Sequence, residues 1–144
     1  MKRLTMALVL GLGVLGYLGH AAKADKQKDP KKVDNRVFEL RTYTAAPGKM
    51  KALDARFREH TNKLFEKHGM TIIAFWHPLK EEEAAQKLIY VLAFPSKEVA
   101  DKSWKDFRDD PDWKAAKEAS EKNGTLVEKV DSVYLNPTDY SPMK

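Results

Sequence analysis

The sequence predicts an α+β fold of the ferredoxin-like type, in which a four-stranded antiparallel sheet carries both helices on one face. Two observations predict it. Four segments of strand composition alternate with two helical regions in the order β-α-β-β-α-β. The two middle strands are apolar on both of their faces, which is typical of strands that are covered on both sides.

The first 24 residues precede this fold and have the pattern of a secretory signal peptide. Lys2 and Arg3 form a basic start, an apolar run follows from Met6 to Gly19, and the segment ends in small residues at Ala24. The run is shorter than the roughly 20 residues that a membrane-spanning helix needs. We therefore expect cleavage after Ala24, a secreted or periplasmic protein, and no stable membrane span afterwards. The alternative is an uncleaved membrane anchor.

The charge balance of the mature chain does not point to nucleic acid. The full sequence carries 26 basic and 21 acidic residues, a formal net charge of +5. Cleavage after Ala24 removes three of the basic residues, which leaves 23 basic and 21 acidic residues and a net charge of +2. We expect no nucleic-acid partner. The sequence contains no cysteine, so an exported domain must rely on its core or on a second chain instead of disulfides.

The first half of the domain follows a polar spacer. Residues 25–36 are charged and without periodicity, and they predict a disordered segment. Val37–Thr44, with the sequence VFELRTYT, is rich in β-branched and aromatic residues and predicts the first strand. From Lys49 to Lys67 apolar residues recur at helical spacing, and Gly69 follows as a C-cap.

The second half repeats the pattern. Ser96 is the predicted N-cap of the second helical region, and Asp110 with Pro111 restarts it. The polar segment LKEEEAAQ, residues 79–86, is read as a solvated connection. Three further strands complete the sheet: Met70–Pro78, Lys87–Pro95 and Leu126–Leu135. The domain therefore spans residues 37–135, and a Pro-rich tail occupies residues 136–144.

The two apolar middle strands predict a second copy of the chain. Helices can cover only one face of this sheet, and the tail is the only segment left for the other. An uncovered face that carried Phe75 or Trp76, Tyr90 and Leu92 would be a large exposed apolar patch. We expect a homodimer that packs sheet against sheet about a two-fold axis. The alternative is a monomer whose open face is covered by loops.

Four segments of the domain have distinctive sequences: FELRTYTAAPGKMKAL, GMTIIAFWHP, WKDFRDDPDW and VYLNPTDYSP. Together they resemble the NIPSNAP family, and the resemblance extends from Val37 to Pro142. The most specific parts are ELRTY followed by PG, and the closing PTDYSP. The resemblance implies a dimeric α/β barrel, formed when two ferredoxin-like sheets close around a common interior. An exported member would differ from the mitochondrial ones, so their roles in vesicle traffic and mitochondrial quality control are not transferred.

Glu39, Arg41 and Tyr43 share one face of the first strand and are the first candidates for a site. On the helix side they would bring charges into an apolar core, so we expect them to face the barrel interior instead. There Arg41 is suited to an acidic or carbonyl-bearing ligand, and Tyr43 can donate a hydrogen bond. The alternative is that Glu39 and Arg41 only neutralise each other, within one chain or across the two-fold axis.

The histidines do not indicate a metal site. His60 and His68 are eight residues apart on the first helix, which is not a zinc-binding spacing, and no cysteine or acidic cluster accompanies them. His68 is expected to serve the end of that helix. His77, beside Trp76, is a candidate for the mouth of the cavity, and Tyr90 is a further candidate for its wall. Strand alternation would place Trp76 and His77 on opposite faces.

The expected function is binding, and the resemblance leaves alternatives. The sequence has no nucleophile elbow, phosphate loop or dinucleotide motif. Trp104, Phe107 and Trp113 are read as core residues of the second helical region. We expect an exported homodimer that holds a small apolar or amphipathic ligand, without a cofactor. One alternative is an enzyme, because dimeric α/β barrels include cofactor-free monooxygenases and haem-handling proteins. Another is a structural scaffold.

Overall fold

A computed structural model describes residues 36–144 of the 144-residue chain. The predicted signal peptide and almost all of the predicted spacer lie outside the described residues. Four strands form one sheet: β1 (Val37–Ala45), β2 (Thr71–Trp76), β3 (Lys87–Phe94) and β4 (Val127–Leu135). Their order is β2-β3-β1-β4, with all neighbouring pairs antiparallel. This is the ferredoxin-like arrangement that the sequence predicts, with β1 in the interior of the sheet.

The first helical region is not one regular helix. It begins as α1 (Met50–Arg56), continues as a π-helical segment (Phe57–Thr61) and ends as α2 (Asn62–Lys67). Gly69 follows with φ of 74°, a left-handed conformation that glycine adopts without steric cost. The apolar periodicity locates this region correctly, but it does not distinguish a π-helical segment from an α-helix.

The second helical region divides where the sequence predicts. In α4 (Lys97–Asp109) the Ser96 side chain accepts a hydrogen bond from the Val99 amide, and in α5 (Pro111–Ser120) the Asp110 side chain accepts one from the Asp112 amide. The connection at residues 79–86 has no buried residue, in agreement with the predicted solvated segment, but it contains a short helix that was not predicted. Glu81–Ala84 form a short helix, α3, whose first turn is acidic and so suits a helix N-terminus.

The core lies between the helices and one face of the sheet. The side chains of β3 that point there are Leu88, Tyr90, Leu92 and Phe94. They pack against aromatic and aliphatic residues from the helices, including Leu53, Phe57, Phe65, Trp104 and Phe107. The expectation that Tyr90 and Leu92 lie on the uncovered face is therefore wrong. Both are fully buried on the helix side.

The opposite face of the sheet, called here the open face, has no helix over it. Strand pairing places on it Leu40, Thr42, Ile89, Val91, Val133 and Leu135. Val133 is 52 % exposed and Leu135 is 42 % exposed. The tail covers one end, where Pro137, Ser141 and Met143 share a cavity of about 370 Å³ with Phe38 and Leu135. Among residues 36–144, none of the helices is long and apolar enough to cross a membrane.

Candidate functional site

A buried carboxylate organises the helix side of β1. Glu39 is 1 % exposed, and its two oxygens accept hydrogen bonds from three side chains. They are Arg41 Nη1 at 2.5 Å, Ser132 Oγ at 2.6 Å and Trp104 Nε1 at 2.5 Å. A buried charge is tolerated when it is paired and its lone pairs are occupied. Glu39 therefore lies in the core at a reduced cost.

The guanidinium of Arg41 is held between this carboxylate and aromatic rings. It lies 4.2 Å from the centroid of the Trp104 ring and 5.5 Å from that of Tyr43. Its Nη2 is 3.5 Å from the Tyr43 hydroxyl, and its Nε has no hydrogen-bond partner among the described residues. Burial alone would lower the pKa of Arg41, but the tyrosines and Glu39 outweigh it and raise that pKa. The Glu39 carboxylate forms the ion pair with Arg41, so it is the partner that holds the guanidinium in place.

Two tyrosines border the same network. Burial raises the pKa of Tyr90 well above its ordinary value, and the neighbouring Tyr43 adds to the rise. The Tyr90 hydroxyl is buried and makes no hydrogen bond of ordinary geometry with a described residue. Burial, with the charge of Glu39, raises the pKa of Tyr134 to about 12. Both hydroxyls are therefore neutral donors at physiological pH.

A pocket opens beside this network, between β1 and the two helices α4 and α5. It has a volume of about 390 Å³. Its lining combines aromatic rings with positive charges and consists of Arg41, Tyr43, Trp104, Phe107, Arg108, Trp113, Lys114 and Lys117. We call it the basic-aromatic pocket. Arg108, Lys114 and Lys117 are exposed, and none of them makes an ion pair with another described residue.

The predicted direction of the Glu39-Arg41-Tyr43 row is wrong. These side chains point toward the helices and not toward the open face, as the bond from the Trp104 indole to Glu39 shows. The prediction treated the two charges as unpaired in an apolar core. It did not include the donors that two other elements supply, Trp104 from α4 and Ser132 from β4. The same-strand pairing of Glu39 with Arg41 that we considered is present, together with a pocket beside it.

A second pocket lies at the other end of the helix side, between β2 and the first helical region. It has a volume of about 320 Å³ and is lined by Asp54, Phe57, Arg58, Asn62, Phe75, Trp76, His77 and Leu88. We call it the Asp54–His77 pocket, since His77 Nε2 lies 3.2 Å from Asp54 Oδ1. Trp76 and His77 both contribute atoms to its lining, but Trp76 pairs with Ile89, so its side chain lies on the open face. His77 lies on the helix side against Asp54, so the two residues are on opposite faces as strand alternation predicts.

The other predicted residues divide between core and surface. His68 follows α2, and its Nε2 lies 2.6 Å from Asp110 Oδ2. Hydrogen bonds from Lys67 and from His68 hold the pKa of Asp110 far below its ordinary value. Trp104 and Phe107 are core residues as predicted, but they also line the basic-aromatic pocket. Within residues 36–144, no cluster of three or more His, Cys, Asp or Glu side chains is placed to hold a metal ion.

The sequence did not predict most of the positively charged residues of the basic-aromatic pocket, or the polar residues of the Asp54–His77 pocket. The predicted site residues did not include Arg108, Lys114 and Lys117 of the first pocket, or Asp54 and Asn62 of the second. One signal was present in the sequence. A tryptophan in the core needs an acceptor for its indole N–H, and Glu39 is the acidic residue of the first strand.

Comparison with known proteins connects this architecture to a family. The family model described as NIPSNAP matches residues 38–142. A comparison with curated protein sequences found no match.

Solved structures share the fold at low sequence identity. A NIPSNAP family protein of unknown function from Agrobacterium tumefaciens has a TM-score of 0.65 and 17 % identity, over 78 % of this chain and 96 % of that one. Another NIPSNAP family protein from the same organism has a TM-score of 0.65 and 21 % identity, over 76 % and 99 %. A NIPSNAP-like domain protein from Burkholderia xenovorans has a TM-score of 0.65 and 13 % identity, over 76 % and 90 %.

Proposed function

The chain belongs to the NIPSNAP family, and we propose that it binds a small amphipathic organic anion in the basic-aromatic pocket. The ligand carries a carboxylate or a similar acidic group on an apolar or aromatic body. The observation that carries the proposal is the position of the Arg41 guanidinium. The guanidinium lines the pocket, is fixed in place by Glu39 and Trp104, and keeps its Nε without a partner among the described residues.

The geometry of Arg41 suits an acidic group. An arginine presents several N–H donors in a fixed plane, and two of them can bind one carboxylate together. Glu39 occupies Nη1, so the remaining donors are Nε and the weakly engaged Nη2. The Tyr43 hydroxyl stands next to Nη2, 3.5 Å away, as an additional hydrogen-bonding group.

The charge around the pocket favours the same class of ligand. Glu39 and Arg41 cancel each other, so the net positive charge comes from Arg108, Lys114 and Lys117. These three cations attract an anion from solution and oppose a cation. The rings of Trp104, Phe107 and Trp113 supply an apolar wall for the rest of the molecule.

The size of the pocket limits the ligand to a small molecule. A volume of about 390 Å³ lies near the lower end of the range of roughly 300–1,000 Å³ that is usual for small-molecule sites. One to three rings with an acidic substituent fit that volume. The proposed pocket lies on the helix side of the sheet, whereas the sequence predicted a cavity on the opposite side. The predicted class of ligand, a small amphipathic molecule, stays the same.

A pair of fluorescent probes tests the proposal. 8-Anilinonaphthalene-1-sulfonate carries the same rings as N-phenyl-1-naphthylamine and adds one negative charge. We expect the sulfonate to bind more tightly, and Lys114→Gln with Lys117→Gln to weaken it by about tenfold. The control is Lys51→Gln with Lys122→Gln, which removes two exposed lysines that are absent from the lining of this pocket. Equal binding of the two probes, or an equal loss in both double variants, contradicts the proposal.

We further propose that two copies of the chain pair through the open face. Val133 and Leu135 are about half exposed there, next to Leu40 and Val91 in the strand register. A contiguous apolar patch of this kind is unusual on a monomeric surface. The tail covers one end only, so a second sheet related by a two-fold axis is the simplest cover for the rest.

The oligomeric state tests this second proposal. We expect Val133→Lys to convert a dimer into a monomer in sedimentation velocity, since it places a charge at the centre of an apolar contact. Val99→Lys is the matched control, because Val99 is 38 % exposed on α4 and away from the open face. A monomeric parent protein, or a Val133→Lys variant that stays dimeric, contradicts the proposal.

Export is also proposed, from the sequence of the first 24 residues alone. The basic start, the short apolar run and Ala24 support a cleaved signal. The mass of the protein recovered from its own host identifies the N-terminus directly. A mature chain that begins at Asp25 supports export, and a chain that retains Met1 in the cell contradicts it.

A further inference from the structure

We propose that the Asp54–His77 pocket binds a primary ammonium group attached to a small apolar or aromatic body. This site is separate from the basic-aromatic pocket, shares none of its lining residues, and does not depend on the function proposed there. Three acceptors, an apolar wall and a π-helical segment carry the inference.

The first acceptor pair follows from the position of His77. Its Nδ1 lies 2.8 Å from the backbone oxygen of Lys87. A carbonyl oxygen can only accept, so Nδ1 carries the proton in this arrangement. In the neutral ring, Nε2 then carries a lone pair and can only accept a hydrogen bond. This Nε2 atom lies 3.2 Å from Asp54 Oδ1, which is also an acceptor.

Two acceptors at this distance need a positive group near both of them. One solution is a proton on Nε2, which converts His77 to an imidazolium that pairs with Asp54. The other is a ligand N–H donor that bonds to both atoms. A primary ammonium group has three donors and one positive charge, so it can bond Nε2 and the carboxylate and still have one donor left.

Asn62 supplies the third acceptor. Its Oδ1 is buried, lacks a hydrogen-bond partner among the described residues, and belongs to a side chain that lines the pocket. A buried polar atom without a partner is costly unless something outside the chain satisfies it. The third N–H of an ammonium group is a suitable donor.

The π-helical segment explains why Asn62 is in this position. The Asn62 amide donates to the Phe57 oxygen, five residues earlier. This i→i+5 bond stacks Asn62 over Phe57, whereas an α-helix would place Thr61 there. The inserted residue therefore brings Asn62 and Phe57 to the same pocket. Single π-helical turns occur frequently at functional sites.

The apolar wall selects an organic cation over a bare ion. Phe57, Phe75 and Leu88 line the pocket, and the rings of Phe57 and Phe75 meet edge to face with centroids 5.6 Å apart. Aromatic faces attract organic ammonium groups, and apolar walls accommodate their hydrocarbon part. The other charged groups that line the pocket with His77 are Asp54 and Arg58, and the Arg58 residue is exposed.

Three probes that differ in one group test the inference. They are 2-phenylethylamine, its uncharged analogue 2-phenylethanol and the anion 3-phenylpropionate, each titrated into the purified protein by calorimetry and by NMR of the histidine ring protons. We expect the amine to bind best and to move the ring signals of His77, which the His77→Gln variant identifies.

Variants of residues that are at least partly exposed separate the possible outcomes. We expect Asp54→Asn to weaken binding of the amine by about tenfold or more. Asp101→Asn, the same change at an exposed position on α4, should have no effect. Arg58→Gln strengthens or preserves amine binding in this proposal. Equal binding of the alcohol, tighter binding of the anion with loss in Arg58→Gln, or binding of Zn²⁺ without the amine overturns it.

Discussion

The two pockets on the helix side of the sheet are built from the same kinds of residues but differ in how their charges are held. In the basic-aromatic pocket the central pair, Glu39 and Arg41, is 1 % and 15 % exposed at its side chains. In the Asp54–His77 pocket the pair is 26 % and 37 % exposed. A buried pair loses hydration and must be satisfied by fixed protein groups, whereas an exposed pair exchanges partners with water. We therefore expect the Glu39–Arg41 pair to stabilise the fold and to hold Arg41 in place for a ligand, and the Asp54–His77 pair to contribute little to stability.

The largest expected effect in this comparison is the loss of Glu39. Glu39→Ala leaves the Arg41 guanidinium buried without its counter-charge and leaves the Trp104 indole without an acceptor. We expect the free energy of unfolding in urea to fall by about 3–5 kcal/mol. Glu128→Ala, an exposed position on β4, is the control. A loss below about 1 kcal/mol would show that the two pockets do not differ in the way proposed.

A smaller effect is expected when only one donor to Glu39 is removed. Trp104→Phe keeps an aromatic ring but loses the hydrogen bond from the indole N–H to Glu39. It also reduces the aromatic surface that the Arg41 guanidinium contacts. We expect a loss of about 1–2 kcal/mol in urea unfolding. Trp113→Phe is the matched control, because Trp113 lines the same pocket and packs on Phe107 without a bond to Glu39. Equal losses of unfolding free energy in the two variants would contradict a specific stabilising role for the hydrogen bond from the Trp104 indole to Glu39.

Alkaline titration tests the same network from its border. The pKa of Tyr134 is raised to about 12 in the folded chain, whereas an unfolded tyrosine ionises near about 10. The folded state thus keeps a proton that the unfolded state releases. The contribution of Tyr134 to the free energy of unfolding is therefore fully present below about pH 10 and is lost as the pH rises toward about 12. We expect Tyr134→Phe to remove a late step from the ultraviolet titration of the tyrosines. Tyr140→Phe, at an 84 % exposed position, should leave that step unchanged.

The smallest expected effect on stability belongs to the second pocket. Asp54→Asn breaks a partly exposed pair in which each group can be hydrated instead. We expect the free energy of unfolding to change by less than about 1 kcal/mol. A loss as large as that of Glu39→Ala would mean that the Asp54–His77 pair is a structural clamp, and it would weaken the case for a ligand there.

Much of the fold was readable in the sequence because it depends on local patterns. Strand composition, helical periodicity and the caps at Ser96 and Asp110 placed the four strands and the two longer helices, α4 and α5, to within a few residues. The short helix α3 and the π-helical segment were missed. Both depend on a small number of backbone hydrogen bonds that produce no distinct apolar period.

The candidate site was only partly predictable. The sequence indicated that Glu39, Arg41 and Tyr43 act together, and the structure brings them together. The face to which they point was predicted wrongly, because the cost of burying a charge depends on donors that are distant in sequence. Trp104 lies 65 residues from Glu39 and Ser132 lies 93 residues away. His77 was predicted at the mouth of the barrel cavity, but it lies at a pocket on the helix side, and Asp54 and Asn62 of that pocket were not predicted.

The amino-acid sequence by itself determined the order of the elements, the antiparallel sheet with β1 inside it, and the apolar character of both faces of β3. These follow from side-chain periodicity and from the few topologies that a β-α-β-β-α-β chain can adopt. Only the tertiary structure decided which face of β1 meets the helices and which residues line each pocket. Those outcomes depend on which hydrogen-bond donors and aromatic rings the folded chain places around each charge.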